Sequence, residues 1–432
     1  MSTDPLEARP TLRAWLDEYA DIEADYLAQL GRWGIRIAPR DADADAVRAA
    51  KERLRAKGAR FRNGDASIVC GGLSSACVAC TGGRGSKTFF LSLACNRSCY
   101  FCFNANQADY ADHLRLNDAW RDEVDAFAAA CGGDVTHVGL TGGEPLLHAD
   151  EAVAFCAYVH ERFPDAHIRL YTAGDFLDEP LLARLRDAGL AELRMSIKLD
   201  DGEDDIDDAL ARLALATRFI PHVMVEMPVV PGTGERMRAL LRELDRLGAF
   251  GINLLEFCYP LGAWDEFERR GFAVKNPPFP VLYNYGYAGG LPLAGSELLC
   301  LELLEFALDE ELSLGVHYCS LENKNRDQIC LQNASRPLDG GVYERDEHDF
   351  FLKTMKVFDG DVPLVQRALE ACGVGAFALE DDGRSLAFHP RHVAAVQGLP
   401  VALCRSYNVL EESADGTVVR ELKLELAQSD RP

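Results

Sequence analysis

Three closely spaced cysteines are the residues in this chain best suited to redox chemistry. Cys95, Cys99 and Cys102 form a CxxxCxxC motif directly after an apolar segment that is typical of a β-strand. Three thiolates on one tight loop can ligate three irons of a cubane cluster and leave the fourth iron open, whereas ordinary electron-transfer clusters use four cysteines. An open iron suits a ligand that is bound and reduced there. The alternatives are chance spacing and a structural zinc site that lacks one ligand.

A second motif, Thr-Gly-Gly-Glu-Pro at residues 141–145, follows the next predicted strand. The CxxxCxxC loop resembles the signature of the radical S-adenosylmethionine (radical SAM) superfamily, and this GGEP turn, one βα unit later, resembles the second motif of that superfamily. The resemblance implies a [4Fe–4S] cluster on the three cysteines, with SAM chelating the open iron. It also implies that the backbone of Gly142 and Gly143 and the carboxylate of Glu144 hold the SAM amino group, with glycines needed because the ligand lies against the chain.

The same resemblance implies three further contacts with SAM. Phe101 would lie along the adenine, Ser196 would be a polar contact, and Glu226 would reach ribose or methionine groups. Ordinary packing inside a barrel is the alternative for each of them. All three would project toward the C-terminal mouth of the strands, where sites on parallel barrels lie.

The activity that the resemblance implies is reductive cleavage of SAM to methionine and a 5′-deoxyadenosyl radical, which abstracts hydrogen from a substrate. Over roughly residues 70–330 the chain also resembles a largely uncharacterised group related to pyruvate formate-lyase activating enzyme. That group assigns no substrate. We expect oxidative modification of a peptide or protein side chain. The alternatives are activation of a glycyl-radical enzyme, a small-molecule rearrangement and, in a different class, a non-catalytic iron–sulfur or zinc redox sensor.

A second group of cysteines precedes the barrel. Cys70, Cys77 and Cys80 have CxxxxxxCxxC spacing, which suits an auxiliary iron–sulfur cluster or zinc. The absence of any metal is the remaining alternative. A fourth ligand must come from far along the chain, and the candidates, in order of preference, are Cys319, Cys330 and Cys300.

The elements that position these residues follow a regular pattern. Apolar segments alternate with helical periods, and the six predicted strands are residues 88–93, 135–140, 167–171, 192–197, 222–229 and 251–257. Strand–helix units in series predict a parallel sheet with right-handed crossovers, either a barrel or a doubly wound sheet. With the resemblance, we predict an α/β fold with a partial (β/α)6 TIM-like barrel.

The predicted organisation has four parts. These are an N-terminal helical segment (1–69), a Cys-rich metal-binding loop or plug (70–86), the radical SAM partial barrel (87–335) with an aromatic-rich insertion (258–295), and a small α+β domain (341–432). The last part is predicted as β-α-β-α-β, in which residues 376–388 form one strand and residues 401–426 form another.

Composition narrows the class of partner. The 432 residues are 48% hydrophobic and 26% charged, with a net charge of −24, which predicts a folded globular protein. Such a charge argues against nucleic acid and anionic membranes as main partners. Without a signal peptide or an 18-residue apolar stretch, we expect a cytoplasmic protein whose 14 cysteines are not a disulfide framework. The expected partners are SAM, a substrate and a flavodoxin- or ferredoxin-type electron donor.

Overall fold

The computed structural model describes residues 6, 8–102, 104, 107, 109–199, 202–260, 264–285, 290–335, 341–414 and 416–427. The chain divides into two compact units. The larger unit contains the described residues of 35–278 and 287–325, and the smaller unit those of 1–34, 279–286 and 326–432. None of the helices in these ranges is both long and apolar enough to cross a membrane.

Strands and helices alternate as the sequence predicts between residues 86 and 256, whereas the first elements of the chain do not follow this pattern. In chain order the elements up to residue 256 are α1 (Pro10–Arg32), α2 (Ala44–Ala56), β1 (Arg60–Arg62), β2 (Ser67–Cys70), α3 (Ser75–Ala79), β3 (Ser86–Phe90), α4 (Trp120–Ala130), β4 (His137–Thr141), α5 (Ala149–Arg162), β5 (His167–Thr172), α6 (Glu179–Asp187), β6 (Glu192–Met195), α7 (Glu203–Ala216), β7 (His222–Val229), α8 (Gly234–Arg246) and β8 (Gly251–Glu256).

Shorter elements follow, and then the C-terminal sheet. They are β9 (Cys258–Tyr259), α9 (Trp264–Arg269), β10 (Leu291–Pro292), α10 (Ser296–Asp309), β11 (Gly315–Cys319), α11 (Leu321–Ala334), β12 (Glu344–Arg345), β13 (Leu352–Phe358), α12 (Val362–Ala371), β14 (Phe377–Glu380), β15 (Ser385–Phe388), β16 (Cys404–Ser413) and β17 (Gly416–Leu426).

The larger unit is built on one nine-stranded sheet with the order β1-β2-β11-β8-β7-β6-β5-β4-β3. Strands β3 to β8 stand in sequence order and are parallel, and β11 pairs parallel with β8. Because this order never reverses, the sheet has no topological switch point, which a doubly wound sheet requires. Its edges, β1 and β3, leave it open. The predicted α/β partial barrel is confirmed.

Helix α6 shows how local sequence sets one of these units. The Asp178 carboxylate accepts a hydrogen bond from the Leu181 amide at 2.8 Å, which caps the helix, and Pro180 lies in its first turn, where no amide partner is needed. Leu182 and Leu185 are fully buried against the sheet, and burial of each contributes about 1.5–3 kcal/mol. Gly189, with φ +89°, follows the helix where a side chain is strained.

The segment before the barrel contains strands that the sequence analysis did not predict. β1 and β2 form an antiparallel hairpin, and β2 pairs antiparallel with β11. The hairpin therefore extends the parallel sheet, although the whole of 1–69 was predicted as helical. Short strands of mixed composition carry little periodic signal, so only their partners reveal them.

The smaller unit is an α+β fold, as predicted, with more strands than expected. Its sheet has the order β14-β15-β13-β16-β17, and β12 pairs with β13. The two long extended segments predicted here are each a hairpin, β14–β15 and β16–β17. The first turns at Asp381 and Asp382, both with positive φ. Helix α1 belongs to this unit, because Leu12 packs with Phe358 and Cys404.

Candidate active site

A cavity of about 520 Å³ lies at the C-terminal ends of the parallel strands of the larger unit. It is lined by the nine residues that the sequence analysis assigned to the first cluster and to SAM: Cys95, Cys99, Phe101, Cys102, Gly142, Gly143, Glu144, Ser196 and Glu226. These residues are spread over 132 positions from 95 to 226, so the fold alone brings them together. Their individual roles stay predictions.

The cysteine loop, residues 91–102, is tied to the chain that follows β5. Asp175 accepts hydrogen bonds from Asn96 Nδ2 at 2.7 Å and from Arg97 Nε at 2.8 Å. Within the loop, the Cys102 amide donates to the Cys99 carbonyl at 3.1 Å, which closes a tight turn. The Arg97 amide lies 3.4 Å from Cys95 Sγ and points at it. The thiols are therefore presented on a braced loop.

The electrostatics of the three thiols fit a shared metal centre. Burial raises the pKa of Cys95 and Cys102, and the neighbouring thiol of Cys99 raises both further. All three cysteines line the same cavity. Metal binding removes the proton from a cysteine ligand, so a cluster would relieve the same repulsion that disfavours the thiolates in the free protein. Lys198, whose charge lowers both pKa values, lines the same cavity.

The glycines of the GGEP turn are required by the protein itself. A Cβ on Gly142, whose φ is +128°, would lie 2.3 Å from the Ser92 carbonyl oxygen, and one on Gly143 would lie 1.9 Å from that of Ala94. The Gly143 amide donates to Ser92 O at 2.9 Å, and the Glu144 amide donates to Ala94 O at 2.8 Å. The sequence analysis attributed these glycines to close approach of SAM. The structure shows a second reason, because the turn packs directly on the cysteine loop.

Glu144 is 2% exposed, and its carboxylate is already engaged. It accepts hydrogen bonds from the Leu146 amide at 3.0 Å, from Thr172 Oγ1 at 2.7 Å and from the Ala173 amide at 2.7 Å. Burial raises its pKa, and these bonds act against that rise. A carboxylate has about four acceptor positions, so one is left for a ligand. The contact with the SAM amino group stays a prediction.

Glu226 and Ser196 lie at the inner face of the sheet. Arg194 Nη1 and Asn253 Nδ2 each donate to the Glu226 carboxylate at 2.6 Å, and Ser196 Oγ donates to the Glu226 carbonyl at 3.3 Å. Burial opposes ionisation of Glu226, but the charges of Arg194 and Lys324 outweigh it and lower its pKa. The cavity therefore contains a fixed negative charge. Its counterion is a buried arginine that the periodicity did not single out.

Aromatic side chains pack around Phe101. Its ring meets Tyr100 edge-on at 5.0 Å and Phe257 at 5.9 Å between centroids. This packing holds Phe101 at the cavity wall, and its contact with the adenine stays a prediction.

Cys77 and Cys319 are buried in the larger unit, and Cys80, three positions after Cys77, is exposed. Cys77, on the short helix α3, accepts hydrogen bonds at its sulfur from Arg194 and from Asn253, both at 3.3 Å. Burial raises the pKa of Cys319 to about 12, and the thiols of Cys80 and Cys77 contribute to that rise. The grouping of these cysteines as metal ligands stays a prediction.

Cys70 does not join this group. It pairs with Val316 across β2 and β11, whereas Cys319 pairs with Ser67. Side chains alternate along a strand, so Cys70 and Cys319, three register positions apart, lie on opposite faces of the sheet. The Cys70 thiol donates to the Val316 carbonyl at 3.7 Å, and burial raises its pKa to about 11. Its role as a ligand stays a prediction that this placement does not favour.

Cys300 and Cys330, the remaining candidate ligands, stay untested. Cys300 is fully buried in α10, and Cys330 belongs to the smaller unit. His317, next to the auxiliary cysteines on β11, uses both ring nitrogens, with Ser67 Oγ and with Asn253 Oδ1, each at 2.9 Å. Burial lowers its pKa to about 3. It is a hydrogen-bonded core histidine with no lone pair free for a metal.

Arg194 and Asp175 were not predicted as functional residues, although the sequence contains a signal for each of them. Arg194 occupies a strand written Glu-Leu-Arg-Met, in which charged and apolar residues alternate, and a charged residue buried at 5% exposure needs a partner. Asp175 comes four positions after the predicted strand 167–171, at the end of the sheet where sites form.

Comparison with known proteins agrees with this geometry. Residues 90–244 match the family model described as the radical SAM superfamily. A Methanocaldococcus jannaschii protein, provisionally named a glycyl-radical enzyme activating enzyme, is 28% identical over 68% of this chain and 76% of its own length. GTP 3′,8-cyclase of Nautilia profundicola is 28% identical over 40% of this chain and 52% of the cyclase. Methylornithine synthase (PylB) superposes with a TM-score of 0.37 at 15% identity, over 65% of this chain and 82% of that one.

The match over 90–244 contains both the cysteine loop and the GGEP turn. The larger unit thus contains a domain of the radical SAM superfamily, which is a superfamily of enzymes. This class of enzyme uses a [4Fe–4S] cluster and SAM, and both cofactors are assigned here on that basis.

Proposed function

We propose that this chain binds the [4Fe–4S] cluster through Cys95, Cys99 and Cys102 and uses SAM to abstract hydrogen from a peptide or protein side chain. One observation carries the site assignment, which is that all nine predicted residues line a single cavity. When bound, the cluster supplies the electron that cleaves SAM to methionine and a 5′-deoxyadenosyl radical.

The chain's own residues position the reactants and exclude water. Asp175 fixes the cysteine loop through Arg97, and the GGEP turn packs on the start of the same loop. Apolar side chains line much of the cavity wall: Leu93, Leu199, Met227, Pro228, Val230, Leu255 and Phe257. A dry wall of this kind protects a radical from quenching by solvent.

The size of the cavity supports a macromolecular substrate. A volume of about 520 Å³ lies within the range of sites for one small ligand, about 300–1,000 Å³. A cavity occupied by SAM leaves limited space, so the reacting group is best presented by a side chain inserted from outside. Activation of a glycyl-radical enzyme is the second candidate, favoured by the name of the archaeal relative, and it also requires a protein substrate.

We further propose an auxiliary [4Fe–4S] cluster on Cys77, Cys80 and Cys319, with zinc as the alternative metal. The support is that the thiols of Cys80 and Cys77 contribute to the raised pKa of Cys319, and that Arg194 and Asn253 donate hydrogen bonds to the Cys77 sulfur. Arg194 beside Cys77 would favour the thiolate form that a metal needs. Such a cluster would bind substrate or accept an electron from the substrate radical, with a flavodoxin- or ferredoxin-type protein as the external donor.

The first experiment is anaerobic reconstitution followed by assay of iron, sulfide and 5′-deoxyadenosine formed from SAM with dithionite. Wild type is compared with a Cys95→Ala/Cys99→Ala/Cys102→Ala variant, and Cys372→Ala, an exposed cysteine of the smaller unit, is the control. We expect wild type and control to form 5′-deoxyadenosine and the triple variant to form none while it keeps about four irons.

The outcomes separate the proposals. A triple variant without iron contradicts the auxiliary cluster, and zinc analysis follows. A wild type that binds a cluster but never cleaves SAM contradicts the radical function and favours the sensor.

The substrate class is tested with extracts of cells grown in heavy water. Size-fractionated extract is added to the reconstituted enzyme with SAM, and deuterium in 5′-deoxyadenosine is measured by mass spectrometry. Deuterium transferred from the macromolecular fraction supports a peptide or protein substrate, and a glycyl-radical electron paramagnetic resonance signal in that fraction would identify the second candidate. Transfer from the low-mass fraction alone contradicts both.

A further inference from the structure

A second group of metal-binding side chains lies at the other end of the same strands. Glu192 and His222 are the first residues of β6 and β7, and His167 is the first residue of β5. One potential ligand atom from each of the three lies within 4.8 Å of the other two. The cysteine cavity is instead lined by later residues, among them Ser196 after β6 and Glu226 within β7.

We propose that His167, Glu192 and His222 bind a divalent metal ion of the zinc class at the N-terminal end of the partial barrel. Two imidazoles and one carboxylate form a ligand set that zinc accepts, with water in the fourth position. Imidazole and carboxylate donors without sulfur select against the soft ions that cysteines bind.

Hydrogen bonds hold the fully buried carboxylate of Glu192 in one orientation. Arg194 Nε donates to Oε1, whereas His167 Nε2 lies 3.0 Å from Oε2, which also accepts from Ser74. Oε2 therefore faces His167, and a metal ion would replace the proton that His167 shares with it.

His222 provides the second, independent observation. Its Nδ1 is buried and has no hydrogen-bond partner among the residues that the structure describes. Its ring stacks on Phe250 at 4.2 Å between centroids, so its orientation is fixed. A buried nitrogen without a partner is costly, and a metal ion would satisfy it. The side chain of His167 is 17% exposed, which gives an ion a route from solvent.

A neighbouring histidine supplies the matched control. His137, the first residue of β4, has its ring 5.6 Å from that of His167. Its Nδ1 lies 3.0 Å from Thr136 Oγ1 and its Nε2 lies 3.2 Å from Ser75 Oγ, so both nitrogens are used. We infer that it is not a ligand. A metal on the other three would clamp β5, β6 and β7 together, a structural role that does not depend on the radical chemistry.

The test is zinc X-ray absorption on the reconstituted wild-type enzyme after addition of one equivalent of Zn²⁺ and desalting. We expect only nitrogen and oxygen ligands at about 2.0–2.1 Å. A sulfur shell at about 2.3 Å would place the zinc on cysteines and overturn the proposal, as would failure to retain zinc.

Variants locate the ion. We expect His167→Gln and His222→Gln to retain no zinc after desalting, with unchanged iron content and unchanged 5′-deoxyadenosine formation. His137→Gln is expected to keep its zinc, its iron and its 5′-deoxyadenosine formation. Equal zinc in every variant overturns the proposal. If the variants fold poorly, the wild-type absorption spectrum still decides the ligand type. Because iron and SAM cleavage are measured in parallel, failure here is distinguishable from failure of the radical function.

Discussion

Arg97 and Asp175 form an ion pair that joins the cysteine loop to the chain after β5. Arg97 lies between the first two cysteines of the motif, and both residues are about four-fifths buried. The guanidinium of Arg97 lowers the pKa of Asp175 against the effect of burial, and Asn96 adds a hydrogen bond to the same carboxylate. The position of the thiols thus depends on a residue 76 positions beyond Cys99 in the sequence.

We predict that Asp175→Asn weakens SAM cleavage by about ten-fold without unfolding the chain. Loss of the carboxylate leaves Arg97 half paired and frees the loop, and a ten-fold change corresponds to about 1.4 kcal/mol. The rate of 5′-deoxyadenosine formation and the iron content are measured. Asp150→Asn removes an exposed pair with Arg184 and is the control. An unchanged rate in Asp175→Asn would show that the loop does not need this brace.

Gly143→Ala should abolish cluster binding. The added Cβ would lie within 2.5 Å of three backbone atoms of residues 93 and 94, none of which is a flexible side-chain end. Relief of this clash must displace the start of the cysteine loop. Ultraviolet–visible spectra of the reconstituted protein report the cluster. Gly31→Ala, in α1 with nothing within 4 Å of the added atom, is the matched control and should be neutral or stabilising by up to about 1 kcal/mol. Normal cluster absorbance in Gly143→Ala would contradict the prediction.

Cys77→Ser and Cys70→Ser should differ in iron content. Cys77 accepts hydrogen bonds from Arg194 and Asn253 inside the larger unit, whereas Cys70 lies on the face of β2 opposite to Cys319. If the auxiliary site holds a cubane, Cys77→Ser should lose about four irons per chain and Cys70→Ser none. Iron and sulfide analysis after desalting measures this. Equal loss in the two variants would show that Cys70 is a ligand and that the hairpin rearranges around the metal.

Glu297 should make the larger unit sensitive to acid. It is buried in α10, and burial opposes its ionisation, but Lys275 and Lys51 lower its pKa to about 2 from the ordinary 4.5. A lowered carboxyl pKa contributes stability above pH 4.5 that is lost as the pH falls toward 2. Glu297→Gln should cost about 3 kcal/mol at neutral pH, because two lysines lose their partner.

Denaturant unfolding of the reduced apoprotein over a pH series measures this effect. The difference between wild type and Glu297→Gln should be constant above about pH 5 and shrink below it. Glu235→Gln, at an exposed pair with Arg238, should change stability by less than about 0.5 kcal/mol at every pH. A difference that does not vary with pH would mean that Glu297 acts through packing and not through charge.

The sequence by itself determined the chemistry and most of the elements that position it. The cysteine spacing and the GGEP turn are local, so they could be read without knowledge of the fold. The six parallel strands were predicted to within about three residues at either end, and His222–Val229 has the predicted bounds, because apolar strands between capped helices leave a periodic signal.

Tertiary structure decided which faces and partners these residues have. Only the register of β2 against β11 separates Cys70 from Cys319. Only the parallel order of β5, β6 and β7 brings His167 and His222 beside Glu192. Helices α1 and α2 are both amphipathic, yet α1 belongs to the smaller unit and α2 to the larger unit. The reason is that side-chain alternation is local, whereas register and docking depend on contacts between residues far apart in sequence, for which one sequence has no direct signal.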